Sequence, residues 1–492
     1  MKIHFKLILT LAILSVVFIF TNSLMSQDSF EEYQKRQNEE MEKYASQQDK
    51  EFAEFLRKEW EEFQVFQGIQ PDKTPKPVSP PKIDSVKVKN YSGKKIIRDI
   101  QKPQPESREV IAEIRDYSKK VESENRTVLN LEFFGDSISL EFDENWKNFH
   151  IDSVTKKGIA NFWKQISESQ FQPFISQAQH YKNLMELNDW AYYLLANTLA
   201  ENIYPNSQKM KNLFVWFVLI KSGYNLKVGY NSNTIYLLAP AKQTMYGLPY
   251  LNIDNKRYFN LSFRDNTKTD QNIYTYKGNY ADSNKSLDLN IYQNPNLKKD
   301  IRTKRLEFCG INSQDRPFPV LIKYNENLIE FYHNYPQTDF NVYFEAPISG
   351  ETFSSFADGL KPLLKGKSEP EAVNILLRLV QKSFAYETDQ EQFGREKYFF
   401  PEETIFYPFS DCEDRAVLFA YLVRKLLGLQ VIGLNYPGHI ATAVCFTDDI
   451  EGDSVKYDNK KYLICDPTYI NATVGMEMPT AKNKKVEIIN IN

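Results

Sequence analysis

Residues 407–423 read Tyr-Pro-Phe-Ser-Asp-Cys-Glu-Asp-Arg-Ala-Val-Leu-Phe-Ala-Tyr-Leu-Val, and this stretch decides the fold that we predict. Its second half carries no charge or strong polarity, which predicts a helix buried on nearly all sides. Cys412 then lies in the first turn, where unpaired N–H groups and the helix dipole lower the pKa of a thiol. Asp411, Glu413 and Asp414 oppose that effect, so a nearby imidazolium has to supply much of the stabilisation of a thiolate.

One imidazole is available in the C-terminal part of the chain, because His439 is the only histidine after His333. His439 follows a Tyr-Pro-Gly turn signal and opens an apolar run typical of a strand. Asp466 ends the next apolar run, just before a proline that cannot extend a sheet. A carboxylate there can accept a hydrogen bond from His439 and fix its tautomer. Together with Cys412, this pattern predicts a nucleophile, a base and an orienting group.

The sequence resembles the transglutaminase-like superfamily in three features. These are a cysteine at the start of a buried helix, a histidine on a strand about 27 residues later, and Asp466-Pro467-Thr468 on the next strand. That superfamily has a papain-like fold and includes transglutaminases, peptide N-glycanases and bacterial cysteine proteases. The resemblance covers residues 370–475. It implies that Cys412 is the nucleophile, that His439 is the general base and acid, and that Asp466 orients His439.

Two departures from the family pattern bear on the reaction. Asp411 stands where a glycine often precedes the nucleophile, and Ile440 stands near where an aromatic residue often follows the histidine. Cross-linking activity and substrate class therefore stay open. The oxyanion hole is expected to include the Cys412 N–H and one upstream donor, for which the candidates are Gln390, Gln392 and Tyr398.

An internal repeat predicts a second copy of the same α+β unit. Residues 213–216 (Leu-Phe-Val-Trp) resemble 418–421 (Leu-Phe-Ala-Tyr), and 255–258 (Asn-Lys-Arg-Tyr) resemble 459–462 (Asn-Lys-Lys-Tyr). The offset is 205 for the first pair and 204 for the second, so one residue slips between them. We further expect residues 129–134 and 340–344 to be equivalent first strands of the two copies. In the first copy the three catalytic positions fall on residues that cannot form a triad, which predicts a pseudo-enzyme domain that braces its partner or recognises substrate. These residues are Ser207, Ile235 and Ser262.

The composition fits several packed cores, with 42% hydrophobic and 14% aromatic residues among 492. A net charge of −3 with mixed signs indicates no basic face, so we expect no nucleic-acid partner. Five scattered histidines and the absence of CxxC or HExxH spacing predict no metal site and no cofactor. Cys445 and Cys465 are interpreted as core residues, with a disulfide between them as the alternative.

The N-terminus carries an export signal. Basic residues precede an uncharged run over 7–26, which predicts either a cleaved signal peptide or a membrane tether, and a location in the periplasm or cell envelope. Residues 29–67 follow with an apolar stripe typical of an amphipathic helix. This helix either mediates self-association or packs on the body of its own protein, and imperfect heptads favour the second.

The predicted organisation is therefore an N-terminal helix and a proline-rich linker before two transglutaminase-like α+β units, each with a buried helix packed on an antiparallel sheet. The expected segments are 1–26 (signal peptide or anchor), 27–70 (amphipathic helix), 71–107 (proline-rich linker), 108–265 (degenerate domain), 266–337 (β-rich connector) and 338–492 (catalytic domain).

The function that these features predict is an exported cysteine hydrolase, a protease or amidase that cleaves amide bonds through a thioester. Its expected substrate is a peptide or protein, with cell-wall peptides among the candidates. One alternative is a non-catalytic envelope protein that uses the papain-like units for binding or as a scaffold. The other is a cross-linking acyltransferase, because acyl transfer to an amine differs from hydrolysis only in the second nucleophile.

Overall fold

The structure is a computed structural model that describes residues 32, 35–37, 39–71, 79–84, 91, 95, 125–263, 272–308 and 318–491. The export segment 1–26 and most of the proline-rich linker therefore lie outside the described residues. Over the described part, no helix combines the length and the apolar character needed to cross a membrane.

The described chain is an α+β protein. A helix over 39–58, here α1, precedes all the strands. The other helices are α2 (Lys156–Ser167), α3 (Gln172–Leu184), α4 (Asp189–Ile203), α5 (Gln208–Lys221), α6 (Glu326–His333), α7 (Phe340–Glu345), α8 (Gly350–Leu364), α9 (Glu369–Ser383), α10 (Asp389–Phe393), α11 (Glu403–Phe406) and α12 (Cys412–Leu422). A short 3₁₀ turn spans Glu144–Asn148, and a π-helical turn, Val423–Leu427, directly extends α12.

Seventeen strands are described, most of them in antiparallel pairs. They are β1 (Glu61–Phe63), β2 (Arg126–Phe133), β3 (Asp136–Asp143), β4 (Lys227–Tyr230), β5 (Ile235–Pro240), β6 (Tyr250–Ile253), β7 (Lys256–Asn260), β8 (Ile273–Thr275), β9 (Ile301–Phe308), β10 (Phe318–Asn325), β11 (Ala385–Tyr386), β12 (Phe409–Ser410), β13 (Gln430–Tyr436), β14 (His439–Cys445), β15 (Ser454–Tyr457), β16 (Lys460–Cys465) and β17 (Glu487–Ile489).

Two larger sheets dominate the architecture. The N-terminal sheet has six strands in the order β1-β8-β4-β5-β7-β6, and the C-terminal sheet has five in the order β15-β16-β14-β13-β17. In each, a mostly apolar helix packs against one of the sheet's strands, α5 on β5 and α12 on β14. Burial of these two helices on nearly all sides follows from the apolar runs that the sequence places in both.

The last hairpin of each sheet turns in the same way. Asp254 and Asn255 connect β6 to β7 with φ of 49° and 62°, and Asp458 and Asn459 connect β15 to β16 with φ of 47° and 58°. Two successive left-handed residues define a type I′ turn, which Asn and Asp tolerate better than other side chains.

The N-terminal helix is shorter than we predicted. It ends at residue 58, and Glu61–Phe63 instead forms β1, which pairs with β8 at the edge of the N-terminal sheet. Pairing with a sheet edge satisfies the backbone groups of this segment and overrides its helical pattern. Phe52, Ala53 and Leu56 are buried in the main core, so the described part of the helix packs on its own chain.

Two other local predictions differ from the structure. Residues 129–134 lie almost entirely in strand β2, but 340–344 form the short helix α7, so the two segments are not equivalent first strands. Apolar runs of five or six residues do not distinguish a strand from a buried helical turn. The expected β-rich connector holds the β9–β10 hairpin, and it also contains helix α6.

Candidate active site

Cys412 is the first residue of α12, as the sequence predicted, and it is 1% exposed. Its Sγ–H donates to Glu413 Oε2 at 2.9 Å, and the Ile440 N–H donates to its sulfur. Burial and the charges of Glu413 and Asp411 raise the pKa of the thiol well above its usual range, and the Ile440 N–H lowers it only in part. The flanking carboxylates Glu413 and Asp411 thus oppose a thiolate, as expected, but burial of the thiol is the larger effect.

His439 is the first residue of β14. It directly precedes Ile440, whose N–H contacts the Cys412 sulfur. Its side chain is 11% exposed, and its Nε2 lies 2.8 Å from Asp466 Oδ2. Since Nε2 is engaged with the carboxylate, Nδ1 is the ring nitrogen left to exchange a proton with another group. The structure thus brings His439 and Asp466 into contact and places Cys412 against the adjoining residue of the same strand.

Asp466 follows the last residue of β16 and is almost completely buried. Its second oxygen, Oδ1, accepts hydrogen bonds from the N–H groups of Thr468 (2.9 Å) and Tyr469 (3.1 Å). Each carboxylate oxygen therefore has a fixed partner, and the orientation of the carboxylate toward His439 is set by its own loop.

A buried glutamine on α9 holds that loop, and no local sequence pattern indicates this role. Gln381 Nε2 lies within hydrogen-bond distance of three carbonyl oxygens, those of Asp466 (3.2 Å), Tyr469 (2.9 Å) and Ala472 (3.1 Å). Its Oε1 accepts from the Asn471 N–H at 3.2 Å. The loop over 466–472 is thus fixed to helix α9 by one side chain.

A cluster of buried carboxylates surrounds the cysteine. Asp389, Asp411, Glu413 and Asp414 are each at most 2% exposed. Burial raises the pKa of Glu413 to about 8, the pKa of Asp414 to about 7, and the pKa of Asp389 and Asp411 well above the usual range. Repulsion from other carboxylates of the cluster adds to the rise at Asp389, Asp411 and Glu413. Protons on several of these groups reduce the cost of placing so much negative charge in the interior.

Two buried cations lie close to this cluster. Lys397 Nζ donates to Glu403 Oε1 at 2.6 Å, and the Lys397 N–H donates to Asp389 Oδ2 at 2.7 Å. The Arg415 guanidinium donates to Ser410 Oγ (3.1 Å) and to a main-chain oxygen, and its charge lies near Asp411 and Asp414. Sequence analysis named Asp411, Glu413 and Asp414, but Asp389 comes from a separate helix and was missed.

The same carboxylates are the described groups that could hold a metal. Ligand atoms of Asp389, Asp411 and Asp414 lie within 4.8 Å of one another, as do those of Asp389, Glu396 and Glu413 and those of Asp411, Cys412 and Glu413. Oxygen-only sets suit hard cations such as Ca²⁺ or Mg²⁺ rather than Zn²⁺.

The three predicted oxyanion-hole donors differ in burial, and Tyr398 is the one whose hydroxyl lies near the charge of Glu413, the residue after Cys412. Gln390 is exposed on α10 and Gln392 is half-buried. The Tyr398 side chain is buried, and repulsion from the Glu413 charge, after burial itself, raises the pKa of its hydroxyl. Among the described residues the Tyr398 hydroxyl has no hydrogen-bond partner.

In the N-terminal unit, the three residues predicted at the triad positions have structural roles. Ser207 caps α5, and its Oγ accepts from the Met210 N–H. Ile235 opens β5, as His439 opens β14. Buried Asn212 donates to the Ile235 oxygen (2.7 Å) and to Ser262 Oγ (3.1 Å), so a hydrogen-bonded amide connects two of the three positions.

Cys412, Cys445 and Cys465 are all free thiols. Cys465 is buried in the core and Cys445 is half-buried at the end of β14. The structure therefore contains no disulfide between Cys445 and Cys465, in agreement with their interpretation as packing residues.

Comparison of the chain with protein-family models, with curated proteins and with solved structures gives no match.

Proposed function

We propose that this chain is an exported thiol hydrolase of the transglutaminase-like type, which cleaves amide bonds in peptides or proteins. The observation that carries the proposal is the 2.8 Å contact between His439 Nε2 and Asp466 Oδ2. The next residue of the strand, Ile440, contacts the Cys412 sulfur through its N–H. The predicted nucleophile lies on a helix, the predicted base on a strand and the orienting carboxylate in a loop, and together they are the groups that nucleophilic catalysis requires.

The reaction begins with proton transfer from the Cys412 thiol to His439, whose Nδ1 is not engaged by Asp466. The thiolate attacks the carbonyl carbon of the amide, and the oxyanion accepts hydrogen bonds from the Cys412 N–H and the Tyr398 hydroxyl. The imidazolium then donates its proton to the leaving amine, which leaves a thioester on Cys412. In the second half, His439 takes a proton from water, the hydroxide attacks the thioester, and the carboxylic acid and the thiol are released.

Asp466 acts by holding the imidazole in one tautomer and by stabilising its protonated form, without accepting the proton. Glu413 holds the thiol proton in the resting structure. Attack therefore requires the thiol to break its hydrogen bond to Glu413 and to give its proton to His439, a step that substrate entry can drive by displacing the thiol from the carboxyl.

We also infer that the two halves of the chain are copies of one unit and that the first has lost its chemistry. The strand order β4-β5-β7-β6 parallels β13-β14-β16-β15, and the type I′ turns of both last hairpins occupy equivalent positions. The helices α5 and α12 pack on corresponding strands. The Asn212 network at the vacated positions supports a bracing role for the first copy.

The full burial of Cys412 and the raised pKa of its thiol favour a second candidate, a non-catalytic envelope protein that uses these units for binding. A thiol-directed activity-based probe separates the two. If the protein is an enzyme, the wild type and Cys445→Ala are labelled and Cys412→Ala is not. Equal labelling of Cys412→Ala and wild type, or no labelling of any variant, favours the binding protein.

A further inference from the structure

An extended piece of the chain, residues 79–84, lies along the loop that follows Asp466. The Ile470 N–H donates to the Pro81 oxygen at 2.8 Å, and the Ile83 N–H donates to the Ile470 oxygen at 2.9 Å. Asn471 Nδ2 donates to the Ile83 oxygen at 2.6 Å. These contacts amount to the addition of one parallel strand to the loop.

All three hydrogen bonds engage the main chain of residues 79–84, and none engages a side chain of that segment. The side chains of Ser79, Lys82 and Asp84 are exposed, and those of Pro80, Pro81 and Ile83 are half-buried. The hydrogen bonds of this kind of recognition require an extended backbone and an N–H at the position of Ile83, and the half-buried side chains add packing. Any extended polypeptide without proline at that position can make the same contacts.

The receiving edge is held rigidly from inside. Asn471 has a left-handed backbone with φ of 69°, and its side-chain oxygen accepts from the Arg378 guanidinium at 2.5 Å. Its N–H donates to Gln381. Arg378 and Gln381 are both buried on α9. Their contacts hold the amide of Asn471 and the main chain of Ile470 in the orientation that residues 79–84 bind. Because this edge is already ordered, binding of a ligand loses little conformational entropy there.

We propose that the edge formed by Tyr469–Asn471 is a docking site for the main chain of an extended polypeptide, and that residues 79–84 occupy it in cis. The inference rests on the proposed function and specifies its substrate class. The Tyr469 N–H donates to Asp466 Oδ1, so the edge continues directly from the loop that orients His439. Because residues 79–84 are tethered, they compete at a high effective concentration with any polypeptide added from solution.

The test removes one hydrogen bond from the tethered segment in the full chain. Ile83→Pro deletes the N–H that donates to Ile470. Lys82→Pro is the matched control, because it introduces the same residue one position earlier, where the N–H takes no part in the three bonds. All variants carry Cys412→Ala, so that binding is measured independently of catalysis. The probe is a fluorescein-labelled peptide of sequence Ser-Pro-Pro-Lys-Ile-Asp, followed by fluorescence polarisation.

We expect saturable binding of the peptide to the Ile83→Pro chain. Binding should be at least tenfold weaker to the Lys82→Pro chain and to the chain that carries Cys412→Ala alone. Adding Asn471→Ala to Ile83→Pro should abolish the binding. Hydrogen exchange at the Ile470 amide should be at least tenfold faster with Ile83→Pro than with Lys82→Pro. Equal binding to the Ile83→Pro and Lys82→Pro chains, no binding to either, or unchanged exchange at Ile470 would overturn the proposal.

The catalytic consequence is measured separately with Cys412 intact. Ile83→Pro should lower the KM for polypeptide substrates at least threefold and leave kcat unchanged. Peptide binding without any turnover would support the docking site and refute the hydrolase. Turnover with no effect of Ile83→Pro on KM or on binding would support the hydrolase and refute the docking site.

Discussion

Replacing Glu413 by glutamine should stabilise the protein, and the gain should grow with pH. Glu413 is fully buried, and its pKa is raised from 4.5 to about 8. A carboxyl with a raised folded-state pKa keeps its proton in the folded state and loses it in the unfolded state. The folded state is therefore progressively disfavoured as pH rises from the ordinary pKa toward the raised one.

The size of the effect follows from the two pKa values. With 1.36 kcal/mol for each pKa unit, ionisation of Glu413 costs about 2 kcal/mol at pH 6 and about 4 kcal/mol at pH 8. Glutamine does not titrate, and its amide oxygen can still accept the hydrogen bond from the Cys412 thiol. Its amide nitrogen can also donate to the buried carboxylate of Asp411, which lies beside Glu413.

The assay is urea unfolding of wild type and Glu413→Gln at pH 5, 6, 7 and 8, followed by circular dichroism. This range lies below the ordinary pKa of a thiol, so titration of Cys412 does not contribute in either state. Glu371→Gln is the control of opposite sign, because Glu371 accepts from the Ser368 N–H in a capping box and its pKa is lowered. That variant should lose stability, and more so above pH 5. A constant difference between Glu413→Gln and wild type from pH 5 to pH 8 would refute the reasoning.

Three further predictions concern other parts of the molecule. Burial lowers the pKa of Lys227 to about 7. Removal of this charge in Lys227→Met should stabilise the N-terminal half by roughly 2 kcal/mol at pH 7, once the free energy lost with the hydrogen bonds to Gly278 and Asn279 is subtracted. The gain should shrink as pH rises and become a net loss above pH 10.5, where only the lost hydrogen bonds count, as measured by tryptophan fluorescence; a gain that is independent of pH would contradict it. Asp466→Ala should lower kcat by about 10²-fold or more in a peptide-hydrolysis assay, and an unchanged kcat would remove Asp466 from the mechanism. Asn212→Ala should cost about 1–3 kcal/mol in urea unfolding with unchanged probe labelling of Cys412, whereas reduced labelling would argue against a purely structural role.

Local patterns predicted the elements that carry the site. The start of α12 at Cys412, the start of β14 at His439 and the end of β16 just before Asp466 are confirmed. Each of these depends on hydrogen bonding or periodicity within a few neighbouring residues, which a sequence displays directly.

Features that depend on tertiary contacts could not be predicted in the same way. The segment at 340–344 is apolar enough for a strand, but it forms a helical turn whose Val342, Tyr343 and Phe344 are buried. The role of Gln381 depends on a loop about 90 residues further along the chain. The high pKa of the Cys412 thiol results from burial, which the acidic residues beside it do not reveal.

The most direct test of the central claim is the rate at which iodoacetamide alkylates Cys412 at pH 6 in wild type and in His439→Ala. Mass spectrometry follows each cysteine separately, and the half-buried Cys445 serves as the internal reference. If the His439 imidazole accepts the thiol proton, wild-type Cys412 should react at least tenfold faster than Cys412 in His439→Ala, with Cys445 unchanged. Equal rates at Cys412 in the two proteins would contradict the account.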